Sequence, residues 1–305
     1  MFKRYDININ RSTMDGWIAK ICPDFEAIYR EMHRQLIAES FLIQGDETTL
    51  KVMDDTIVDK CDIGYLWPFV GDGKLAVFEF RDSRSRDGPS DFLKDFKERY
   101  LMSDGYAGYN QVIAENRLLH LMCWAHARRK FFEAKDLDPP FIDSILTLIT
   151  ELYDIEREAK QVEPQQRFAL RQSKSKPVLE KIKCVLENPG RTILPKNDIA
   201  TATAYTLNHW QQLNRFLDDG RLPIDNNLVE NTIRPVALGR KNWLFAGSAD
   251  GAHRLAVIYS LVATCKLNDI NPYEYFCDIL PKIGSYPANK VADLTPVKWK
   301  LLKQA

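Results

Sequence analysis

The sequence predicts an α/β protein, a mixed sheet flanked by helices, and three observations carry that expectation. Residues 11 to 39 place apolar side chains at helical spacing. Between residues 41 and 124, short runs rich in aliphatic and aromatic residues are separated by turn signals. From 127 to 220 the strand signals give way to helical patterns.

In chain order, Trp17, Ile21, Phe25, Ile28, Met32 and Leu36 recur at the spacing of one helix face, with Ser12 or Thr13 as the cap. Pro23 is expected to divide this segment into two helices. FLIQGDETTLKV, IGYLWPFV, KLAVFEF and RYLMSD read as strands, and Gly71-Asp72-Gly73 joins the second and third in a hairpin. Residues 90 to 99 read as a short amphipathic helix, and LLHLMCW at 118–124 as a fifth strand. The sheet thus opens as an antiparallel meander and continues with helical crossovers. ILTLITELYDIEREAK and PVLEKIKCVLE are helical, joined by basic, glutamine-rich sequence around Gln165 to Lys176. Helical patterning returns at 226–234 and 251–267. The expected organisation is an N-terminal helical segment (1–40), the first part of a sheet core (41–126), a helical insertion (127–220), the end of the core (221–280) and a tail (281–305).

Composition excludes several classes. No run of about 18 apolar residues exists to span a membrane, and MFKRYDININRSTMDGW has no apolar h-region. The six cysteines are scattered, which fits reduced thiols better than a disulfide framework and points to the cytoplasm. Lys plus Arg equals Asp plus Glu, 42 against 42. Attraction to nucleic acid must therefore be local, at Arg128-Arg129-Lys130, at Arg234 with Arg240-Lys241, or in the tail lysines 298, 300 and 303, which read as solvated charge. There is no G-x-x-x-x-G-K-[ST] loop, hence no ATP requirement, and no serine-hydrolase signature.

Three carboxylates stand out. Asp46 lies in the first strand run, where a buried carboxylate needs a partner or a cation; adjacent Glu47 points to the opposite face. Asp104 follows the fourth strand and leads through Gly105 and Gly108 into a helix; Asp-Gly is also an ordinary turn pair. In LPIDNNLVENTIRP, Asp225 or Asn226 caps a short helix that Pro235 ends or kinks. That helix sets Asn227, Glu230, Asn231 and Arg234 on one face, with Leu228, Val229, Thr232 and Ile233 largely on the other. The plainer reading of Glu230 is a helix cap with a satisfied salt bridge. Three carboxylates suit Mg²⁺ or Mn²⁺, and two ions about 3.5–4 Å apart serve phosphoryl chemistry.

At these residues the sequence resembles the insertion-sequence-66 family of bacterial transposases. GDETTL, SDGYAGYN, CWAHARRKFF, DNNLVENTIRPVALGRKNWLFAGS and AVIYSLVATCKLNDINPYEY carry the resemblance, from about Ser12 to about Leu280. It implies a ribonuclease-H-like core with a helical insertion before the last acidic residue, and a DDE triad of Asp46, Asp104 and Glu230 holding two Mg²⁺ or Mn²⁺ ions. The separations, 58 and then 126 residues, agree. The implied reaction is DNA cleavage and strand transfer on transposon ends and target DNA, by a homo-oligomer with or without accessory proteins. A nuclease of the same fold that does not join strands, and a non-catalytic DNA-binding remnant, are the alternatives. Family members carry a longer N-terminal region with DNA-binding and metal-binding elements, and this sequence starts near its end, at NRSTMDGWIAK. A shortened protein, a fragment or a remnant without specific end recognition is therefore expected.

Cys123 and His126 have half the spacing of a zinc site, with His120 upstream, but no second pair completes it. Cys123 reads as a buried residue ending a strand. His126, Arg128 and Arg129 are expected to touch DNA phosphates, with Lys130 beside them. Arg240, Lys241 and Trp243 either hold phosphates and stack a base, or Trp243, Leu244 and Phe245 are core.

Overall fold

The computed structural model describes residue 6 and residues 8–53, 61–72, 75–188 and 197–304. Gly73, in the expected hairpin turn, lies outside the described residues. Helix α1 (Arg11–Glu39) leads to strands β1 (Leu42–Gly45), β2 (Thr48–Met53), β3 (Cys61–Gly71) and β4 (Leu75–Arg81). Then come α2 (Asp87–Phe92), β5 (Tyr100–Met102), α3 (Asn110–Glu115) and β6 (Leu119–Leu121). The remainder is helical: α4 (Trp124–Glu133), α5 (Pro139–Glu158), α6 (Pro164–Leu170), α7 (Lys176–Leu186), α8 (Asp198–Asn208) and α9 (Trp210–Asn214). The last four are α10 (Asn227–Trp243), α11 (Ala249–Leu267), α12 (Pro272–Ile283) and α13 (Pro296–Gln304). Pairing is antiparallel among β1–β4 and parallel between β5 and β6, so this is a mixed α/β fold with helices flanking a mixed sheet. Its chain divides into two compact units, Met1–Arg99 with Ala107–Arg117 and Leu228–Ala305, and Tyr100–Tyr106 with Leu118–Asn227.

In the first unit α1 is a single helix. Asn10, rather than Ser12 or Thr13, caps it by accepting the Thr13 N–H at 2.7 Å. Pro23 does not divide it: the proline costs one backbone bond, but Cys22, Phe25, Ile28, Tyr29, Met32 and Leu36 form one buried stripe whose packing outweighs that loss. Trp17, expected on that stripe, is 53% exposed. The hairpin of β3 and β4 is as expected, with Gly71 opposite Leu75. Asp72 turns the chain there at φ 39° and accepts the N–H groups of Phe41 and Leu42 at 2.8 and 2.9 Å.

The first strand run is two strands. Gly45 pairs with Phe69 and Thr48 with Leu66, so the register is the same on both sides of the gap. Asp46 and Glu47 therefore face Pro68 and Trp67. Asp46 donates its N–H to the Pro68 carbonyl at 3.3 Å, but proline has no N–H to return. That missing donor, not a turn, interrupts the strand at Asp46.

Helix α11 closes the β4 edge. Its Ser260 and Thr264 hydroxyls accept the N–H groups of Phe78 and Ala76 at 2.8 and 3.0 Å, and Thr264 donates to the Ala76 carbonyl. On β2 the outward groups of Lys51 and Met53 bond to Ala246, just beyond α10. The helix expected at 90–99 is shorter and earlier, Asp87–Phe92. The Asn116 amide takes the Leu93 carbonyl at 2.7 Å and so removes an acceptor that a continuing helix would need. In the tail, Lys298 and Lys303 are exposed, as expected of solvated charge, although Lys303 also donates to Asp278; Lys300 is half-buried and donates to the Asn268 carbonyl.

In the second unit β5 and β6 run parallel, with Leu101 opposite His120, and all described elements after β6 are helical. Helix α5 buries Phe141, Ile142, Ile145, Ile149, Leu152 and Ile155 along one stripe. Between α6 and α7 a π-helical turn, Arg171–Ser175, seats a fully buried arginine. Arg171 forks onto Glu156 with two bonds of 2.7 Å and donates to the carbonyls of Phe216, Asp219 and Leu222 at 2.6, 2.9 and 2.8 Å. Gly220 lies inside that loop, where a Cβ would fall 1.8 Å from the Pro164 oxygen.

All six cysteines are free thiols. No helix among the described residues is long and apolar enough to cross a membrane.

Replacing Arg171 by Met leaves Glu156 and three carbonyls without their donor. Urea unfolding followed by circular dichroism should show a loss of about 3–5 kcal/mol; a change under 1 kcal/mol would refute the hub. A second expectation concerns pH. His253 and Glu26 lie 3.0 Å apart; their hydrogen bond raises the histidine above its ordinary 6.5 and lowers the glutamate below 4.5. The histidine's contribution is complete below 6.5 and fades as pH rises through its raised value. The glutamate's contribution is complete above 4.5 and fades as pH falls through its lowered value. The melting-temperature difference between wild type and His253→Gln should therefore peak between pH 4.5 and 6.5. A difference constant from acid to alkaline pH would show that the pair contributes nothing by charge.

Candidate active site

Asp46 is half-buried at the end of β1, and all four residues of that strand are buried. Its Oδ1 accepts the Glu47 N–H at 2.8 Å, which aims the carboxylate back along its own chain. Glu47 is committed elsewhere: its side chain, 7% exposed, is held by Arg84 in an ion pair. Neither residue lies in a strand proper, as the sequence reading had it, though the common register keeps their alternation. Two residues before Asp46, Gln44 is 5% exposed, and its Oε1 has no hydrogen-bond partner among the described residues. Gly45 lets Tyr109 and Phe69 close over this strand end, since a Cβ would meet the Tyr109 hydroxyl at 2.9 Å and the Phe69 ring at 3.1 Å.

Glu230 stands in the first turn of α10, half-buried. The two-faced character read from the sequence is present: Asn227, Asn231 and Arg234 are exposed, while Val229, Thr232 and Val236 are buried. Val229 packs with Val70 and Ala76, and Val70 is the ladder partner of Gln44. Val236 packs with Leu50, Val52, Leu66 and Phe78. The start of α10 thus rests on the stretch of β3 that pairs with β1. Pro235 does not end the helix, which runs on to Trp243. The carbonyl that proline orphans belongs to Asn231, on the exposed face, where water can satisfy it.

At the far end of α10, Arg240 donates to the Thr49 carbonyl and, at 2.9 Å, to its hydroxyl. Lys241 is exposed. Trp243 packs on the core cluster and bonds Tyr259. The core alternative grouped Trp243, Leu244 and Phe245 together, but Leu244 is 61% and Phe245 40% exposed. Leu244 sits at φ 60°, held by its N–H bond to the Arg240 carbonyl.

In the second unit Asp104 follows β5 and is half-buried. Its Oδ1 accepts the Tyr106 N–H at 3.0 Å, an Asx turn that fixes the side chain as the chain leaves the sheet. Ser103 donates to the Asp104 carbonyl at 3.1 Å and lies 2.9 Å from His120 Nε2. Burial lowers His120 to about 4, so it is neutral at physiological pH. The sequence reading named His120 only beside Cys123 and His126 and missed its pairing with Ser103, which the register across β5 and β6 creates.

Cys123 is fully buried, accepts the Asn226 N–H at 3.4 Å, and is pushed up to about 12 by burial. It is the extended residue that opens α4. His126 is half-buried on that helix, Arg128 and Arg129 are exposed, and Lys130 places its Nζ 4.7 Å from the centre of the Tyr205 ring. Asp225 accepts Asn227 N and Nδ2 at 3.2 and 2.7 Å, the cap expected of it.

Comparison with known proteins places the chain first among transposases. Residues 1–254 match the family described as "Transposase IS66 family", and residues 260–297 match the "IS66 C-terminal element". The chain belongs to the IS66 family of transposases. Two relatives come from Sinorhizobium fredii (strain NBRC 101917 / NGR234). "Uncharacterized protein y4hP" is 31% identical over 98% of this chain and 58% of its own length. "Uncharacterized protein y4jD" is 33% identical over 98% of this chain and 61% of its own length. The chain thus spans about three fifths of each of these relatives.

Gly45→Ala should cost about 1–3 kcal/mol through overpacking against Tyr109 and Phe69. Thermal melting measures the loss, and a variant as stable as wild type would show that the strand end beside Asp46 has room to relax.

Proposed function

We propose that this chain is the catalytic part of a DDE transposase with a ribonuclease-H-like core, cleaving DNA and transferring strands during movement of an insertion sequence. The observation that carries the reading is the family match over residues 1–254, a span that holds Asp46, Asp104 and Glu230. Their settings support it. Two are half-buried carboxylates just past strand ends, and the third is half-buried in the first turn of a helix. The order of elements, an antiparallel meander followed by a parallel pair, also fits that core.

The donor set fits a hard divalent cation: three carboxylates, with the partnerless Gln44 Oε1 two residues from one of them. Mg²⁺ or Mn²⁺, as two ions, supplies Lewis-acid activation of the attacking oxygen and charge stabilisation at the leaving oxygen. Asp46, Asp104 and Glu230 are the residues that would hold those ions. Hydrolysis of one phosphodiester at a transposon end frees a 3′-hydroxyl, and that hydroxyl displaces a target phosphodiester in the same site. The neutral His120 orients Ser103 beside Asp104 without adding charge. Arg128, Arg129, Lys130, His126, Asn227, Asn231, Arg234, Arg240 and Lys241 are the DNA contacts, and the active species is a homo-oligomer on DNA.

Calorimetric titration with Mn²⁺ and Mg²⁺ tests the site without knowing the DNA ends. Wild type should bind and Asp104→Asn should not, and the variant should also lose metal-dependent cleavage while keeping its fold. Equal metal binding and cleavage in both proteins would sink the assignment. Cleavage without joined products would instead favour a nuclease.

A further inference from the structure

The helical second unit contains a groove in which Arg128, Arg129 and Asn227 meet residues of α5 that the reading above does not use. It lies between α4 and α5 and encloses about 430 Å³. Ala125, Arg128, Arg129 and Phe132 line it from α4, at i, i+3, i+4 and i+7, the face opposite buried Trp124, Ala127 and Phe131. Tyr153 and Arg157, four residues apart, line it from α5. Three guanidinium groups thus share one concavity with no acidic residue in its lining. Like charges gathered this way repel, and an anion in the groove relieves that repulsion.

The neighbouring groups sharpen the choice of anion. Thr150 donates its hydroxyl to the Leu146 carbonyl at 2.8 Å, and Asn227 gives its amide to Asp225. That same Asp225 accepts both the backbone N–H and the side-chain amide of Asn227, which keeps this acid occupied beside the groove. Donation to a ligand therefore falls to the arginines, whose planar forks match phosphate oxygens. Phe132, 46% exposed, offers its ring to Arg128 at 5.9 Å and to Lys135 at 4.9 Å, a platform that holds cations at the rim. Arg157 also pairs with Asp154 on its own helix, an exposed pair that a phosphate can compete with.

We propose that the groove between α4 and α5 is a phosphodiester-binding site that seats the backbone of a DNA strand. It adds Arg157, on α5, to the arginines of α4, and rests on the reading of this chain as a DNA-processing enzyme. The contact is to phosphate and so is indifferent to base sequence.

The test is binding of the full chain to a fluorescein-labelled DNA duplex of mixed sequence, followed by anisotropy over a salt series. Arg157→Ala and Arg128→Ala should each reduce the slope of log affinity against log salt by about 0.9. Arg157→Lys should recover much of that slope, because its charge still neutralises a phosphate. Lys298→Ala, at an exposed site far along the sequence, should leave the slope unchanged. Circular dichroism and melting of each variant show whether it is folded, and a folded Arg157→Ala and Arg128→Ala with the wild-type slope overturn the proposal. Inorganic phosphate at matched ionic strength is the second probe. Arg157-dependent phosphate binding that does not compete with duplex identifies a free-anion site and also overturns it. Asp104→Asn separates the two readings. If it keeps full metal-dependent cleavage while Arg157→Ala loses DNA slope, the catalytic assignment fails and the groove stands; the reverse pattern removes the groove alone.

Discussion

A proline at position 68 takes one donor out of a central strand, and the first unit is arranged around that loss. Strand β3 is bonded to β1 and β2 on one side and to β4 on the other. Toward β4, the pair of Pro68 and Phe78 needs no donor from residue 68, because Phe78 turns its N–H outward to Ser260. Toward β1 it does, and the chain opens there. A carboxylate in an unbroken ladder would have to project from a regular pleat; at a ladder gap its backbone is released to carry it. Asp46 and Glu47 occupy that gap, and packing of Val229 on Val70 brings the start of α10 to the same part of β3.

The second unit is organised differently, by one buried cation. Arg171 binds Glu156 on α5 and three carbonyls of the loop at 216–222, so a helix, a π-helical turn and a loop share a single guanidinium. Its Glu156 partner is the neighbour of Arg157 in sequence, about 100° away around the helix, so Glu156 turns inward to the hub while Arg157 turns outward to the groove. Fixing α5 by its buried face thereby fixes the register of the exposed one. Such an arrangement costs heavily if half of it is removed.

Much of this was legible in the sequence because periodicity reports burial. The span of α1, the hairpin of β3 and β4, the helix after Asp104 and the two faces of α10 all follow from patterns of apolar residues. The failures share a cause. At Pro23 and Pro235 a local rule against proline in helices was applied where a continuous buried stripe on the other face outweighs one lost bond. At 90–99 the helical pattern was real, but Asn116, distant in sequence, captures the carbonyl of Leu93. The split between β1 and β2 was invisible in FLIQGDETTLKV because its cause sits on another strand. Among site residues, Asp46, Asp104 and Glu230 were chosen from their local setting and the family motif. The pairing of Ser103 with His120 needed the β5–β6 register, which no local pattern contains.

The treatment of the sheet edges has a consequence for assembly. Two hydroxyls of α11 occupy the outward groups of β4, and the segment after α10 occupies those of β2. At these positions neither β4 nor β2 offers free backbone groups on which a second chain could extend the sheet. A second chain that meets either of these two strands would therefore contact side chains and helix surfaces, and the strands flanking Asp46 would keep their pairing.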